Sequence, residues 1–317
     1  MQVGLFTDAF THLSLTQTLA WCAAHGIESV ELGTGGYSPA PHADLERLSS
    51  SEAARQELLG ELASTDVSLG ALNVSGNPLH PNPQIATLHD AQLRSTVRLA
   101  QELGVTRVVA MSGCPGGPGD ASWPVFAGGA WLPDMERLWD WQWAERIAPY
   151  WGELSRWASQ AAPDVRICLE LHPGTSIYNA ESFRLLREVT GDNVMVNLDP
   201  SHFWWQGMDP VRVIEDLTGL IGWSHGKDTL IRDSRMAVIG CMDFRWPRPG
   251  SADMPWHFCA VGAGHAASTW VSLVKALIAA GHDHTISIEH EDPDLTAEDG
   301  ALASLLGLRE VLSGLEP

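Results

Sequence analysis

Two short apolar runs that stop abruptly at an acid constrain this chain more than any other feature. Between Val165 and His202 it reads VRICLELHPG, then a run of helical character, then VMVNLDPSH. Val165 to Leu169 and Val194 to Leu198 are short, apolar and rich in β-branched residues, the pattern of strands buried on both faces of a parallel sheet. They end at Glu170 and Asp199, each followed closely by a histidine and a proline: His172 and Pro173, then Pro200 and His202. An acid where such a strand stops lies at its carboxyl end, the edge on which α/β folds keep their sites. LIGWSHGKD and TISIEHED close in the same way at His225 and Glu289. Glu170, Asp199, His225 and Glu289 are therefore expected to meet around one divalent metal.

Eight strand-then-helix units run along the chain. The strands are VGLFT (3–7), SVELG (29–33), VSLGALNV (67–74), TRVVAM (106–111), VRICLE, VMVNLD, LIGWSH and TISIE. Helices are expected at 14–25, 51–64, 84–103, 143–161, 180–190, 209–217, 268–280 and 301–314, the first capped by Ser14. AAHGIESV, AQELGVTRV and IAAGHDHT each place a glycine shortly before the next strand, where it closes a helix in the left-handed conformation. Eight units in 317 residues fit a single closed (β/α)8 TIM barrel over 1–317. An open doubly wound sheet is the rival. Against it, no phosphate-binding glycine fingerprint follows the first strand.

Two segments interrupt the rhythm, 112–143 after strand four and 229–267 after strand seven. Both exceed an ordinary connection and are expected as active-site-side insertions. The first carries Trp123, Trp131, Trp139, Trp141 and Trp143, and the second Trp246, Trp256 and His257. These tryptophans either pack an extra loop or subunit interface, or wall a pocket for a sugar-like ring, whose C–H face stacks on indole.

Charge narrows the partners. With 19 Lys and Arg against 39 Asp and Glu, the formal charge is -20, which repels a nucleic-acid backbone and an anionic membrane surface alike. The opening MQVGLFTDAF has no signal-peptide pattern, and no apolar run approaches the roughly 20 residues of a membrane span. Five scattered cysteines form neither a disulfide framework nor paired metal-ligand spacing, which suits a cytoplasmic protein. The surface tryptophans leave room for a homo- or hetero-oligomer.

Three carboxylates about 4 Å apart repel by roughly 4 kcal/mol per pair at an effective dielectric near 20. That is a large share of the ~5–15 kcal/mol by which a domain is stable. A divalent cation reverses the sign. Three oxygens and one imidazole suit Mn²⁺ best, with Co²⁺, Mg²⁺, Fe²⁺ or Zn²⁺ as alternatives. Taken singly, each acid reads equally well as a strand-end residue or a helix cap. Flanking the four are His172, Lys227, Asp228 and His290. Lys227 either pairs with Asp228 or another acid or polarises a substrate oxygen; His172 is a substrate contact or a core group.

The motifs LELHPG, NLDPSH, SHGKD and SIEHED resemble those of the xylose isomerase-like TIM barrels, over essentially the whole chain. That superfamily includes ketose 3-epimerases, inosose dehydratase, hydroxypyruvate isomerase and, more distantly, endonuclease IV. The resemblance implies a metal held by Glu170, Asp199, His225 and Glu289, and a substrate-oxygen contact from His202. GNPLHPN resembles the strand-three segment of the sugar-acting members and makes His80 a pocket candidate. The chain departs from the pattern at His265, where relatives more often carry an acid, and in offering Lys227 and Arg232 where sugar epimerases place an arginine.

A metal beside carboxylates supports proton abstraction next to a carbonyl, with the enediolate stabilised by the cation and Glu170 and Glu289 as bases. The expected function is a sugar or polyol isomerase or epimerase acting on a small carbohydrate-like substrate. The alternative is a lyase expelling water or an aglycone by β-elimination from a keto-sugar or keto-glycoside. An endonuclease IV-like nuclease and a non-catalytic barrel subunit are the remote alternatives; the charge opposes the first.

Overall fold

The computed structural model describes residues 1–128, 132–242 and 254–315. Its main sheet is a closed barrel of eight strands in the order β1-β10-β7-β6-β5-β4-β3-β2, so the open-sheet alternative is excluded. The barrel strands are β1 (Gln2–Phe6), β2 (Ser29–Gly33), β3 (Ser68–Asn73), β4 (Arg107–Met111), β5 (Arg166–Glu170), β6 (Val194–Leu198), β7 (Ile221–Gly226) and β10 (Thr285–Ile288). Each coincides, to within two residues at either end, with a run read as a strand from the sequence. An additional antiparallel pair, β8 (Asp228–Ile231) and β9 (Trp256–Cys259), lies inside the second long insertion. The chain divides into two compact units, one of Met1–Glu31, Ala63–Ser68 and Leu198–Pro317, the other of Leu32–Leu62 and Leu69–Asn197.

In the first unit β1 pairs in parallel with β10 and with β2, and β10 with β7. Its helices are α1 (Leu15–His25), α8 (Ser201–Trp204), α9 (Pro210–Asp216), α10 (Asp233–Ile239), α11 (Ala267–Ala279) and α12 (Ala297–Ser313). Ser14 starts α1 with a reciprocal cap: its hydroxyl accepts from the Gln17 N–H while the Gln17 side chain accepts from the Ser14 N–H. Each orphan donor of the first turn so satisfied contributes about 1 kcal/mol. Gly26, at φ 69°, ends the helix in the left-handed region, where a Cβ would be strained. The core here is Leu5, Val30, Ile286 and Ile288 with Trp270, Leu305 and Leu308, all at most 1% exposed.

The second unit pairs β3 with β4, β4 with β5, and β5 with β6. Its helices are α2 (Leu45–Ser50), α3 (Glu52–Ala63), α4 (Pro83–Leu103), α5 (Pro133–Gln142), α6 (Ala148–Ala161) and α7 (Ala180–Arg187), α3 ending just across the division at Ala63. Val108, Val109, Ile167, Leu169 and Val196 are fully buried, as strands sheltered on both faces require. The segment 112–143, expected as a loop, contains α5, which runs through a π turn (Trp143–Ile147) into α6. Pro133 at the first helical position and the acids Asp134 and Glu136 in the first turn are the local reasons a helix starts there. Trp139, Trp141 and Trp143 accordingly lie on helical turns, with Trp139 against Trp143 at 5.6 Å, and Trp123 is largely exposed. Trp131 and Trp246 lie outside the described residues. Among the described residues no helix is long and apolar enough to cross a membrane.

Candidate metal centre

Strand register delivers the first two side chains. Parallel pairing sets Ser287 of β10 opposite His225 of β7. Glu289 follows Ser287 by two residues, so period-two alternation returns it to the same face, one step nearer the carboxyl end. His225 Nδ1 lies 3.1 Å from Glu289 Oε2 and 3.9 Å from Asp199 Oδ2. The other ring nitrogen, Nε2, lies 3.2 Å from Glu31 Oε2. Trp223, two residues before His225 on β7, donates its indole N–H to that same Glu31 oxygen at 2.7 Å. Burial pushes the imidazole pKa down, but the Glu289 and Glu31 carboxylates outweigh it and hold it well above the usual histidine value. Burial likewise raises the Glu289 carboxyl, and the Lys227 ammonium and then His225 overcome that, holding it well below the usual carboxylate range.

Lys227 is bound on three sides. Its Nζ is 3.0 Å from Asp199 Oδ2, 2.5 Å from Glu289 Oε2 and 2.9 Å from Glu291 Oε2, and it stands 4.6 Å from the centre of the Phe258 ring. His202 is fully buried in α8, 3.5 Å from Asp199 Oδ2 through Nε2, with its ring edge-on to Phe258. Asp199 Oδ1 accepts the Ser201 N–H at 2.9 Å, which turns the chain from the strand end into α8. Asp199, His225, Glu289, Lys227 and His202 are thus brought together within one unit.

Of the two partners the sequence left open for Lys227, the structure uses other acids, because Asp228 is fully engaged elsewhere. Its Oδ2 accepts from the backbone N–H groups of Gly262, Gly264 and His265 and from the Trp270 indole, and its Oδ1 from Thr229 N–H and His265 Nδ1. His265, the departure from the family pattern, is therefore an anchor. It bonds Asp228 at 2.7 Å and stacks on Trp204 at 4.0 Å.

The remaining predicted residues belong to the other unit. Glu170 ends β5 opposite Asn197 of β6, whose side-chain amide donates to Glu170 Oε2 at 3.3 Å. His172 directs Nδ1 at the Pro173 carbonyl, 2.6 Å away. A carbonyl only accepts, so that nitrogen carries a proton. His80 is the opposite tautomer: its Nδ1 accepts the Asn82 N–H at 2.9 Å, leaving Nε2 as a donor. Around it, Asn77 clamps the GNPLHPN segment by accepting from Leu79 and Cys114 N–H and donating to the Cys114 carbonyl.

Glu31, Glu291 and Phe258 are the site neighbours that sequence reading missed. Glu31 left a trace, a single acid inside the apolar run SVELG. Glu291 was hidden in SIEHED behind its neighbour Glu289, and Phe258 had no distinguishing signal. A further set of potential ligands, His257, Asp292 and Asp294, lies near β9. There Arg232 donates to His257 Nδ1 at 2.9 Å. The ring's other nitrogen must then carry the proton, and the adjacent guanidinium repels a cation, so this set is a poor metal site.

Carboxylates with one imidazole form a donor set suited to a hard or borderline divalent cation. Glu31 takes one His225 nitrogen, and the other faces the Asp199 and Glu289 carboxylates, so the residues fit such an ion.

A closed barrel of parallel strands ending in carboxylates and an imidazole makes this a (β/α)8 TIM-barrel protein. It belongs to the xylose isomerase-like TIM barrel family, whose model matches residues 19–311. The chain is similar to the uncharacterized protein YfiH of Bacillus subtilis (strain 168), at 34% identity over 316 residues, covering 99% of this chain and 100% of the relative. Among solved structures it is similar to the IolI protein with a binding zinc atom, at 19% identity and a TM-score of 0.67, over 100% of this chain and 99% of that one. A D-tagatose 3-epimerase-like protein matches at 18% identity and a TM-score of 0.65, over 99% of this chain and 98% of the other. At these identities the structural likeness shows the fold.

Proposed function

We propose that Glu170, Asp199, His225 and Glu289 hold one divalent cation, and that the protein is a metal-dependent isomerase or epimerase of a small sugar or polyol. One observation carries the reading: at the strand ends His225 Nδ1 lies 3.1 Å from Glu289 Oε2 and 3.9 Å from Asp199 Oδ2, and Glu170, which ends β5, is the fourth potential ligand. The bound zinc of the IolI structure and the name of the D-tagatose 3-epimerase-like protein point the same way. Mn²⁺ is the ion expected from the donor set, and Zn²⁺ is the other to test.

When bound, the cation would supply positive charge beside a substrate carbonyl, lowering the cost of the negative charge that develops when the neighbouring carbon loses a proton. The chain's own groups do the rest. Glu289, kept ionised by Lys227 and His225, is competent to accept that proton, and Glu170 is the second carboxylate for its return. His202 and Lys227 orient substrate oxygens. Phe258, packed against both, keeps water from them. His80, whose Nε2 is a donor, and His172 are the further pocket contacts.

The test is exchange. Mn²⁺-loaded protein incubated with ketohexoses and inososes in D₂O is expected to place solvent deuterium on the carbon next to the carbonyl of at least one of them. No incorporation with any substrate overturns the isomerase reading. Release of water or an aglycone in place of an isomer makes the enzyme a lyase.

A further inference from the structure

We infer that Glu31 is a positioning residue for the metal: it fixes which nitrogen of His225 is presented to the cation. The inference rests on the metal centre proposed above. The geometry lies within one unit and uses three strands. Parallel pairing of β1 with β2 sets Glu31 opposite Phe6. Phe6 in turn stacks on the His225 ring, with 6.2 Å between centroids and 10° between planes. On β7, Trp223 and His225 are two residues apart and so share a face. Both direct a ring nitrogen at the Glu31 carboxylate, Trp223 Nε1 at 2.7 Å and His225 Nε2 at 3.2 Å from the same oxygen.

Indole nitrogen is only ever a donor, and a carboxylate is only ever an acceptor. Trp223 therefore fixes where the carboxylate oxygen sits. That oxygen then requires a hydrogen on His225 Nε2, so a cation that binds the ring would take the place of the Nδ1 proton that Glu289 accepts in the ion-free chain. Nδ1 is the atom facing Glu289 and Asp199. A carboxylate behind a ligating imidazole fixes its tautomer and orientation and raises its basicity, and losing it typically weakens metal binding about 10- to 100-fold. Glu31 is fully buried, as are Trp223 and His225, so no water replaces the lost acceptor. The arrangement has a specific consequence: the metal is taken through Nδ1, with Trp223 and Glu31 acting behind it.

The full-length protein and its E31Q, E31L and W223F variants would be titrated with Zn²⁺ against a chelating dye. Ring-nitrogen ¹⁵N spectra of the Zn²⁺-loaded proteins would identify the ligating atom, and urea unfolding in EDTA would record stability without metal. E31Q keeps the shape and an acceptor oxygen but loses the charge, and is expected to bind Zn²⁺ about 10-fold more weakly; E31L, with no acceptor, about 100-fold. W223F, which frees the carboxylate without removing it, should lose less than E31Q. In the wild type the Nδ1 resonance of His225 shifts on metal addition while Nε2 stays protonated; in E31L that selectivity is lost.

A purely structural Glu31 would lower the urea midpoint and leave both the affinity and the ligating nitrogen of the folded protein unchanged, and that result overturns the inference. If E31Q and E31L unfold, W223F decides it: wild-type Zn²⁺ affinity and an unaltered His225 spectrum in that variant would also overturn it. Failure of the wild type to take up one ion per chain is a different result. It removes the metal centre itself.

Discussion

Replacing Asp228 with asparagine should destabilise the protein by more than any comparable single-atom change in the described residues around the proposed metal centre. The carboxylate is fully buried and accepts six hydrogen bonds, four on Oδ2 and two on Oδ1. D228N can keep its oxygen on the four-donor side, which puts an NH₂ against the Thr229 N–H and His265 Nδ1. His265 can change tautomer and accept. The Thr229 N–H cannot, and a buried orphan of that kind costs about 1–3 kcal/mol. The other four bonds change from charge-assisted to neutral, a difference of up to about 1 kcal/mol each that is only partly additive. The expected loss is therefore about 3–5 kcal/mol, comparable to breaking a buried ion pair. It would be measured as the shift in urea midpoint, multiplied by an m value checked to be unchanged. The loop has no room to move towards Thr229, since a Cβ on Gly264 would lie 2.2 Å from the Thr229 carbonyl oxygen. A D228N protein within about 1 kcal/mol of wild type would show that the loop 260–265 is not held by this carboxylate, and the account of Lys227's partners would lose its basis.

Two further outcomes follow from the same geometry. K227M removes the cation from between Asp199, Glu289 and Glu291, so urea unfolding in EDTA should show a loss of about 3–5 kcal/mol. In saturating Mn²⁺ the loss should shrink, because a divalent ion neutralises two of the same carboxylates; equal losses under both conditions would contradict the proposed centre. His89 has its pKa lowered by burial, and its Nδ1 accepts the Asn77 N–H at 2.8 Å, a bond that only the unprotonated nitrogen can make. Because its folded pKa is depressed, the stability it contributes is complete above the unfolded value near 6.5 and is lost as pH falls towards the folded one. Urea midpoints at pH 7.5, 6.5 and 5.5 should therefore fall more steeply for wild type than for H89Q, by up to about 1.4 kcal/mol per pH unit. Parallel curves would rule this out.

How much of this was legible in the residues depends on how local the governing physics is. The barrel was, because β-branched runs, the cap at Ser14 and left-handed glycines such as Gly26 and Gly104 act within a few residues. The acids and histidine at the strand ends were legible for the same reason: such a residue at the end of an apolar run needs no partner to be noticed. The helix at Pro133–Gln142 was missed although its proline and acids were visible, since five tryptophans in 32 residues drew the reading towards a loop.

What the sequence by itself determined is the strand and helix rhythm and which side chains stand at the strand ends. Which of those side chains touch was decided only by tertiary structure. Glu31 reaches His225 across 194 residues, and Lys227 reaches Glu289 and Glu291 across 62 and 64. Contacts of that kind depend on the order and register in which strands close around a barrel, and no local propensity encodes either. Asp228 makes the same point from the other side: adjacent to Lys227 in the chain, it points along the alternate face of its strand and spends its lone pairs on the loop beyond β9, the Trp270 indole and the Thr229 N–H.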